Sequence, residues 1–258
     1  MIRIPRSTYY ARKTKGSAWT KAIADLRGRL EEVALSFPRY GYRRMAALLR
    51  REEWIVNRKR VLRVMRESDL LRKIKRRFVR TTDSKHAFPI DPNLLLDFRA
   101  TAINQVWVAD ITYIRILTGF AYLTTILDAF SRKVVGWVLS RTLAEEMACA
   151  ALQAAYAALR PPKRLILHFD RGVQDACGDD VALAEGYGMQ ISMSRKGNPY
   201  DSPIEESFFM TLKIEKVYLI VCTFKELSSR LLEYIEVVYK TKCLHPSLVY
   251  LPPAEFKA

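Results

Sequence analysis

Three acidic residues stand where a carboxylate needs a reason. Asp110 interrupts an apolar, β-forming run, Trp107-Val108-Ala109-Asp110-Ile111, and ionised carboxylates rarely sit among such neighbours unless paired or metal-bound. Asp170 follows directly on the apolar run Arg164-Leu165-Ile166-Leu167-His168, at the C-terminal strand end where α/β sheets place their chemistry. Glu206 opens a helical stretch after the loop Gly197-Asn198-Pro199-Tyr200, with 35 residues between it and Asp170. Brought together, three carboxylates repel and require a counter-charge. Hard oxygen donors of this kind suit Mg²⁺ or Mn²⁺. A two-metal site built from them activates water or a 3′-hydroxyl and stabilises the leaving oxygen of a phosphodiester. Each acid also has a plain reading. Asp110 is then an edge-strand acid facing solvent, Asp170 a cap for the following turn, and Glu206 a first-turn acid favoured by the helix dipole.

The elements that must carry these residues follow from periodicity. Residues 105–114, 120–127 and 133–139 read as three adjacent strands joined by short turns. An alanine-rich helix covers about 143–159, a strand 164–168, a helix 178–187 and a short strand 189–193. Helices over about 203–216 and 223–240 complete the pattern. Its fold class is α/β, a mixed sheet flanked by helices. Upstream, 18–35 is a helix through Ile23, Leu26, Leu30 and Val33, and a second begins at Tyr42 with Met45, Leu48 and Leu49 on one face. Asn57 is an N-cap for a third, through Val61, Leu62, Met65 and Leu70. That third helix carries Arg58, Lys59, Arg60, Arg63 and Arg66, which suggests a helix-turn-helix, with an ordinary helical hairpin as the alternative. The division expected is a basic helical region 1–71, a basic, Pro-containing linker 72–100, a catalytic core 101–218 and a helical tail 219–258.

Charge points the same way. The chain of 258 residues has a formal charge of +16. Residues 1–100 hold 26 Lys/Arg against 10 Asp/Glu, while 101–258 hold 17 of each. The densest stretch, 72–80, includes Arg76 and Arg77. So lopsided a distribution fits a polyanion, nucleic acid before an acidic membrane surface. A hydrophobic content of 50% with 28 aromatic residues excludes a disordered tail, and no apolar run is long enough for a membrane span. Four scattered cysteines, with no CxxC pair, point away from zinc and disulfide frameworks and towards a reducing cytoplasm. His168, two residues before Asp170, reads either as an orienting group or as a packed core histidine, and His86 and His245 have no partner at metal-ligand spacing.

Four segments together resemble a known family: Trp107 through Ile114, Asp128-Ala129-Phe130-Ser131-Arg132-Lys133 through Trp137, His168-Phe169-Asp170-Arg171-Gly172, and Ser194-Arg195-Lys196-Gly197-Asn198 through Glu206-Ser207-Phe208-Phe209. They resemble bacterial insertion-sequence transposases, the second-frame (orfB) product, whose core is similar to retroviral integrase. The resemblance extends to Pro5 through Tyr10, Tyr40 through Arg44 and His245 through Phe256. It implies an RNase H-like fold and a catalytic Asp-Asp-Glu triad on Asp110, Asp170 and Glu206. The implied reaction cleaves the element's ends and directs the freed 3′-hydroxyl at another phosphodiester.

Lys213, two helical turns after Glu206, is expected on a phosphate near the scissile position. Asn198 and Asp201 lie in the family loop, where they are expected to shape the approach of DNA rather than bind metal, and Arg195 beside them is expected to bind DNA. The implied partners are DNA at element ends and target, further copies of the chain on DNA, and a first-frame partner or fusion product, in the bacterial nucleoid.

The chain departs from the family pattern at Val173, Asp175, Lys240, Cys243 and Val249. Those departures keep a second reading open, a catalytically silent DNA-binding regulator derived from such a transposase. A generic RNase H-type nuclease is a third, disfavoured by the spacing of Asp170 and Glu206.

Overall fold

The computed structural model describes residues 6–71, 92–96, 98–143, 146–169, 178–194, 203–217 and 221–256. Two compact units divide the chain, Met1–Arg76 and Arg77–Ala258.

The first unit is helical. Helix α1 (Arg6–Ser36) begins well before the periodic apolar residues that mark it in the sequence. Its buried Leu26, Leu30 and Val33 share a core with Met45, Ala46 and Leu49 of α2 (Tyr42–Arg51) and Val61, Val64 and Met65 of α3 (Arg58–Glu67). Asn57 caps α3 as its residue type suggests, its side chain accepting the Lys59 N–H at 2.8 Å. The helix stops at Glu67, short of the expected Leu70, because Asp69 turns left-handed (φ 50°) and the Leu70 N–H closes back on the Met65 carbonyl at 2.8 Å. Arg29 of α1 grips Glu52, the C-cap of α2, through two hydrogen bonds, which with Glu32 raise its pKa above the ordinary arginine value.

The second unit is built on a five-stranded mixed sheet, in the order β3-β2-β1-β4-β5. Strands β1 (Val106–Ile116), β2 (Gly119–Asp128) and β3 (Val134–Ser140) form an antiparallel meander, and β4 (Ile166–Phe169) and β5 (Gln190–Met193) run parallel to β1. The parallel β1–β4 pair requires a long crossover, and the chain between them carries β2, β3 and helix α4 (Glu146–Leu159). Alternation along β1 sends Trp107 and Ala109 into a core with Ala151, Leu152 and Ala155 of α4 and Ala184 of α5 (Gly178–Gly186). Val106 and Val108 pack on the other face with Ile204 of α6 (Pro203–Leu212), and with Leu94 and Leu95 from the stretch read as linker.

Gly136 allows α4 to lie tightly on β3. A Cβ there would fall 2.5 Å from the Ala151 carbonyl oxygen and 2.9 Å from the Ala155 Cβ.

Two helices change character at their ends. A π-helical turn, Lys213–Val217, continues α6, and another, Tyr234–Tyr239, continues α7 (Phe224–Glu233). Periodicity predicts two uninterrupted helices here. The segment read as a tail belongs to the same compact unit as the sheet: the Leu117 N–H bonds the Cys222 carbonyl, and Phe256 packs on Phe130 with ring centroids 5.2 Å apart. Of the family departures within it, Lys240 bonds Glu236 at 3.1 Å and Cys243 is buried. Val249 is the strained one. It takes φ 54°, with Tyr250 at φ 61° beside it, and a β-branched side chain is disfavoured there by about 1–2 kcal/mol.

Val249 is 79% exposed, so its side chain contributes little packing. V249G is therefore expected to stabilise the protein by about 1 kcal/mol, less whatever the more flexible unfolded chain takes back. A thermal melt checks this, and a melting temperature equal to or below that of the parent contradicts it.

Candidate active site

Asp110 sits in the middle of β1, paired across the sheet with Thr125 of β2. It shares the face of Val106 and Val108, the face that packs α6, because side chains two residues apart point the same way. It is half-buried, and its Oδ1 accepts the Ile111 N–H at 2.7 Å. Thr125 opposite is buried, and its hydroxyl has no hydrogen-bond partner among the described residues.

On the parallel side, the register runs from Val106 with Ile166 to Ala109 with Phe169. The last pair immediately precedes Asp110 in β1, and Asp170 is the next residue of the sequence after Phe169. Asp170 itself lies outside the described residues, as do Val173, Asp175, Arg76, Arg77, Arg195, Asn198 and Asp201.

Helix α6 brings the third acid. Glu206 is in its first turn and exposed to solvent, whereas its neighbour Glu205 is fully buried. The helix packs against β1 through its apolar side. Lys213, at the start of the π-helical turn, lies with its Nζ 5.2 Å from the centre of the Tyr113 ring. Burial lowers the Lys213 pKa from its ordinary value, and the negative charge of Asp110 opposes that shift. The lysine expected two turns after Glu206 thus lies over an aromatic ring of β1 that the sequence alone did not single out, within electrostatic reach of Asp110. Among the described residues no three His, Cys, Asp or Glu side chains stand close enough to hold a metal ion.

The turn that fixes Lys213 is anchored from below. Glu215 is buried in it, and its Oε2 accepts the Tyr234 hydroxyl at 3.0 Å. Burial is the main cause that raises the Tyr234 pKa, so the hydroxyl keeps its proton as a donor.

His168 is a core residue. It is fully buried, with Nδ1 2.9 Å from the Ser192 hydroxyl and Nε2 3.1 Å from that of Ser194. Those contacts tie β4 to β5 and to the residue following it. In the helical unit Arg58, Lys59, Arg63 and Arg66 are exposed along α3. Arg60 is half-buried, with Nε and Nη2 shielded from solvent, which makes it the least accessible of the basic set.

Comparison with known proteins places the chain. The Integrase core domain family matches residues 100–199 and the HTH-like domain family residues 23–78. The insertion element IS600 uncharacterized 31 kDa protein of Shigella sonnei is 40% identical over 220 residues, covering 84% of this chain and 81% of that one. Transposase InsF for insertion sequence IS3A, from Escherichia coli strain K12, is 33% identical over 267 residues, spanning 100% and 91% of the two chains. This chain belongs to the IS3-family insertion-sequence transposases.

As a member it carries an integrase-type, RNase H-like core behind a helical HTH-like region, the fold class the sequence implied, and family membership implies DNA as its partner. Among solved structures, the HTLV-2 integrase catalytic core domain, determined in complex with magnesium, aligns at 16% identity and a TM-score of 0.48, covering 62% of this chain and 100% of that one. No helix among the described residues is long and apolar enough to cross a membrane.

Y234F removes the hydroxyl that satisfies buried Glu215. It is expected to cost about 1–3 kcal/mol of unfolding free energy. Denaturant titration measures this directly, and an unchanged midpoint would show that Glu215 is satisfied without Tyr234.

Proposed function

We propose that this transposase cleaves and joins DNA strands at its element's ends through Asp110, Asp170 and Glu206. The observation that carries this reading is the meeting of β1 and α6. Asp110 lies on the sheet face that packs the helix bearing Glu206, and Lys213 from the same helical segment sits over Tyr113 of β1, where it feels the charge of Asp110. The β1–β4 register supports the second acid, since Ala109 and Phe169 pair one residue before Asp110 and Asp170.

The described acids suit a hard divalent cation. Both offer carboxylate oxygens, and neither is sealed from solvent, with Asp110 half-buried and Glu206 exposed. Together with Asp170 they would hold Mg²⁺ or Mn²⁺, as one ion or a pair. Bound there, the metal would supply activation of water or a 3′-hydroxyl and neutralisation of the leaving oxygen. The remaining work belongs to the chain itself. The Lys213 ammonium, confined by Tyr113 and partly stripped of water, binds a phosphate beside the scissile bond. Arg195 and Asn198 shape the entry of the strand. Arg58, Lys59 and Arg63 on α3, helped less by half-buried Arg60, bind the duplex backbone of the element end, and Arg76 and Arg77 extend that contact. Phosphate contacts of this kind position DNA without reading its sequence. Paired ends require at least two copies of the chain on DNA, and a first-frame partner or fusion product would add end recognition.

Nicking of supercoiled plasmid in Mn²⁺ at low salt tests the triad. D110N, D170N and E206Q are each expected to lose nicking by about a hundredfold or more with DNA affinity retained. Activity within tenfold of wild type in all three sinks the assignment. Wild type that binds DNA and never nicks would favour the silent-regulator reading instead.

K213M tests the phosphate contact. It is expected to weaken DNA binding and to reduce the slope of log K against log salt by about one. An unchanged slope would return Lys213 to a packing role against Tyr113.

A further inference from the structure

The outer end of the β1–β2 hairpin has two unlike faces. Among the described residues its neighbours stop short of it: β4 pairs with β1 only from Val106 to Ala109, and β3 reaches β2 only as far as Tyr122. On one face Ile114, Ile116, Ala121 and Leu123 are buried. On the other, the ladder sets Tyr113 opposite Tyr122 and Arg115 opposite Phe120, so these four residues share a face. Tyr113 is 42% exposed and Phe120 50%.

Large aromatic side chains left in water at the end of a hairpin need a reason. Cross-strand pairing supplies one, since aromatic neighbours stabilise a ladder. It does not account for the charges beside them. Lys213 Nζ stands 5.2 Å from the Tyr113 ring centre, Arg115 is exposed on the same face as Phe120, and residues 111–127 contain no Asp or Glu. Tyr113 and Phe120 themselves meet edge-on, with centroids 5.8 Å apart and planes at 85°. Two rings at such an angle form a corner, where a flat ligand stacked on one presents its edge to the other. A flat aromatic group on an anionic backbone fits both the rings and the charges. Tyr113 lies three residues from Asp110. That is about 10 Å along the strand, the length of roughly three stacked nucleotides.

We propose that Tyr113 and Phe120 form a stacking platform for an unpaired base of single-stranded DNA, seated beside the phosphate that Lys213 binds. A base drawn out of the duplex there leaves its strand open next to the acids. Stacking on a ring accepts any base, so the platform adds affinity for opened DNA without adding sequence preference. This inference deepens the proposed function and rests on Lys213 contacting a phosphate.

The test uses the full chain and two DNA probes of the same sequence, a blunt duplex and a duplex with a short 3′ overhang carrying 2-aminopurine. Wild type is expected to bind the overhang probe about tenfold more tightly, the scale of one stacked base, and to quench its 2-aminopurine fluorescence. F120L keeps apolar bulk on the hairpin and removes the ring. It is expected to lose the overhang preference and the quenching while its affinity for the blunt duplex is unchanged. F120W is expected to restore both, which a role in folding alone does not require. Y113L, at the other ring, carries the test if the melting curve shows that F120L fails to fold.

Equal affinity of wild type for the two probes overturns the inference. So does an overhang preference that F120L and Y113L both retain. If F120L then also sediments as a smaller assembly than wild type, the rings belong to a contact between copies of the chain instead. K213M separates the premise from the inference. If K213M leaves the salt slope unchanged while F120L abolishes the overhang preference, the phosphate contact fails and the platform stands by itself. If K213M lowers the slope and F120L changes nothing, only the platform fails.

Discussion

The two-residue alternation of β1 is the constraint on which the site depends. Ten cross-strand pairs run from Trp107–Asp128 to Ile116–Gly119, with no shift along that ladder. Trp107 and Ala109 fill the core under α4 and α5, so Val106, Val108 and Asp110 must face α6. A slip of one residue would bury Asp110 in the aliphatic core and turn Trp107 towards the α6 side. The cost of misplacing Trp107 protects the placement of Asp110. A hydrophobic requirement therefore fixes the position of a charge.

Around that strand the supports are of different kinds. The α4 side is held by close packing, to the point that Gly136 has no room for a side chain against Ala151. The α6 side buries carboxylates instead: Glu205 in the first turn of the helix, and Glu215 bonded to Tyr234 in its π-helical end. Packing tolerates rotation of a helix more readily than directional polar contacts do. On the proposed reading, the division suits a face where Glu206 and Lys213 are aimed and an opposite face that need only be filled.

Much of this was legible in the sequence. Each strand of the sheet stands within two residues of its expected bounds, because apolar β-formers between turn residues leave little choice. Asp110 was legible because a charge in such a run is anomalous, and Lys213 because its spacing from Glu206 is two helical turns. What escaped was whatever depends on long-range partners. Glu205 reads as an ordinary first-turn acid, and only its burial distinguishes it from Glu206. His168 remained ambiguous until Ser192 and Ser194 appeared on its two nitrogens. The π-helical turns have no signature in apolar spacing, since Glu215 turns inward through a hydrogen bond to a residue from α7's continuation. The early start of α1 was hidden because its first turns lack an apolar stripe.

The contact between Tyr239 and the Arg132 carbonyl spans 107 residues, and Phe256 reaches back still further to Phe130. During synthesis, all three acids and Lys213 leave the ribosome before the residues that steady the β2–β3 connection. A nascent or prematurely terminated chain ending ahead of Tyr239 would carry the three acids proposed for catalysis without the hydroxyl that holds the β2–β3 connection. On the proposed reading, competence to cut DNA would then arrive late, with the last stretch of polypeptide rather than with the three acids.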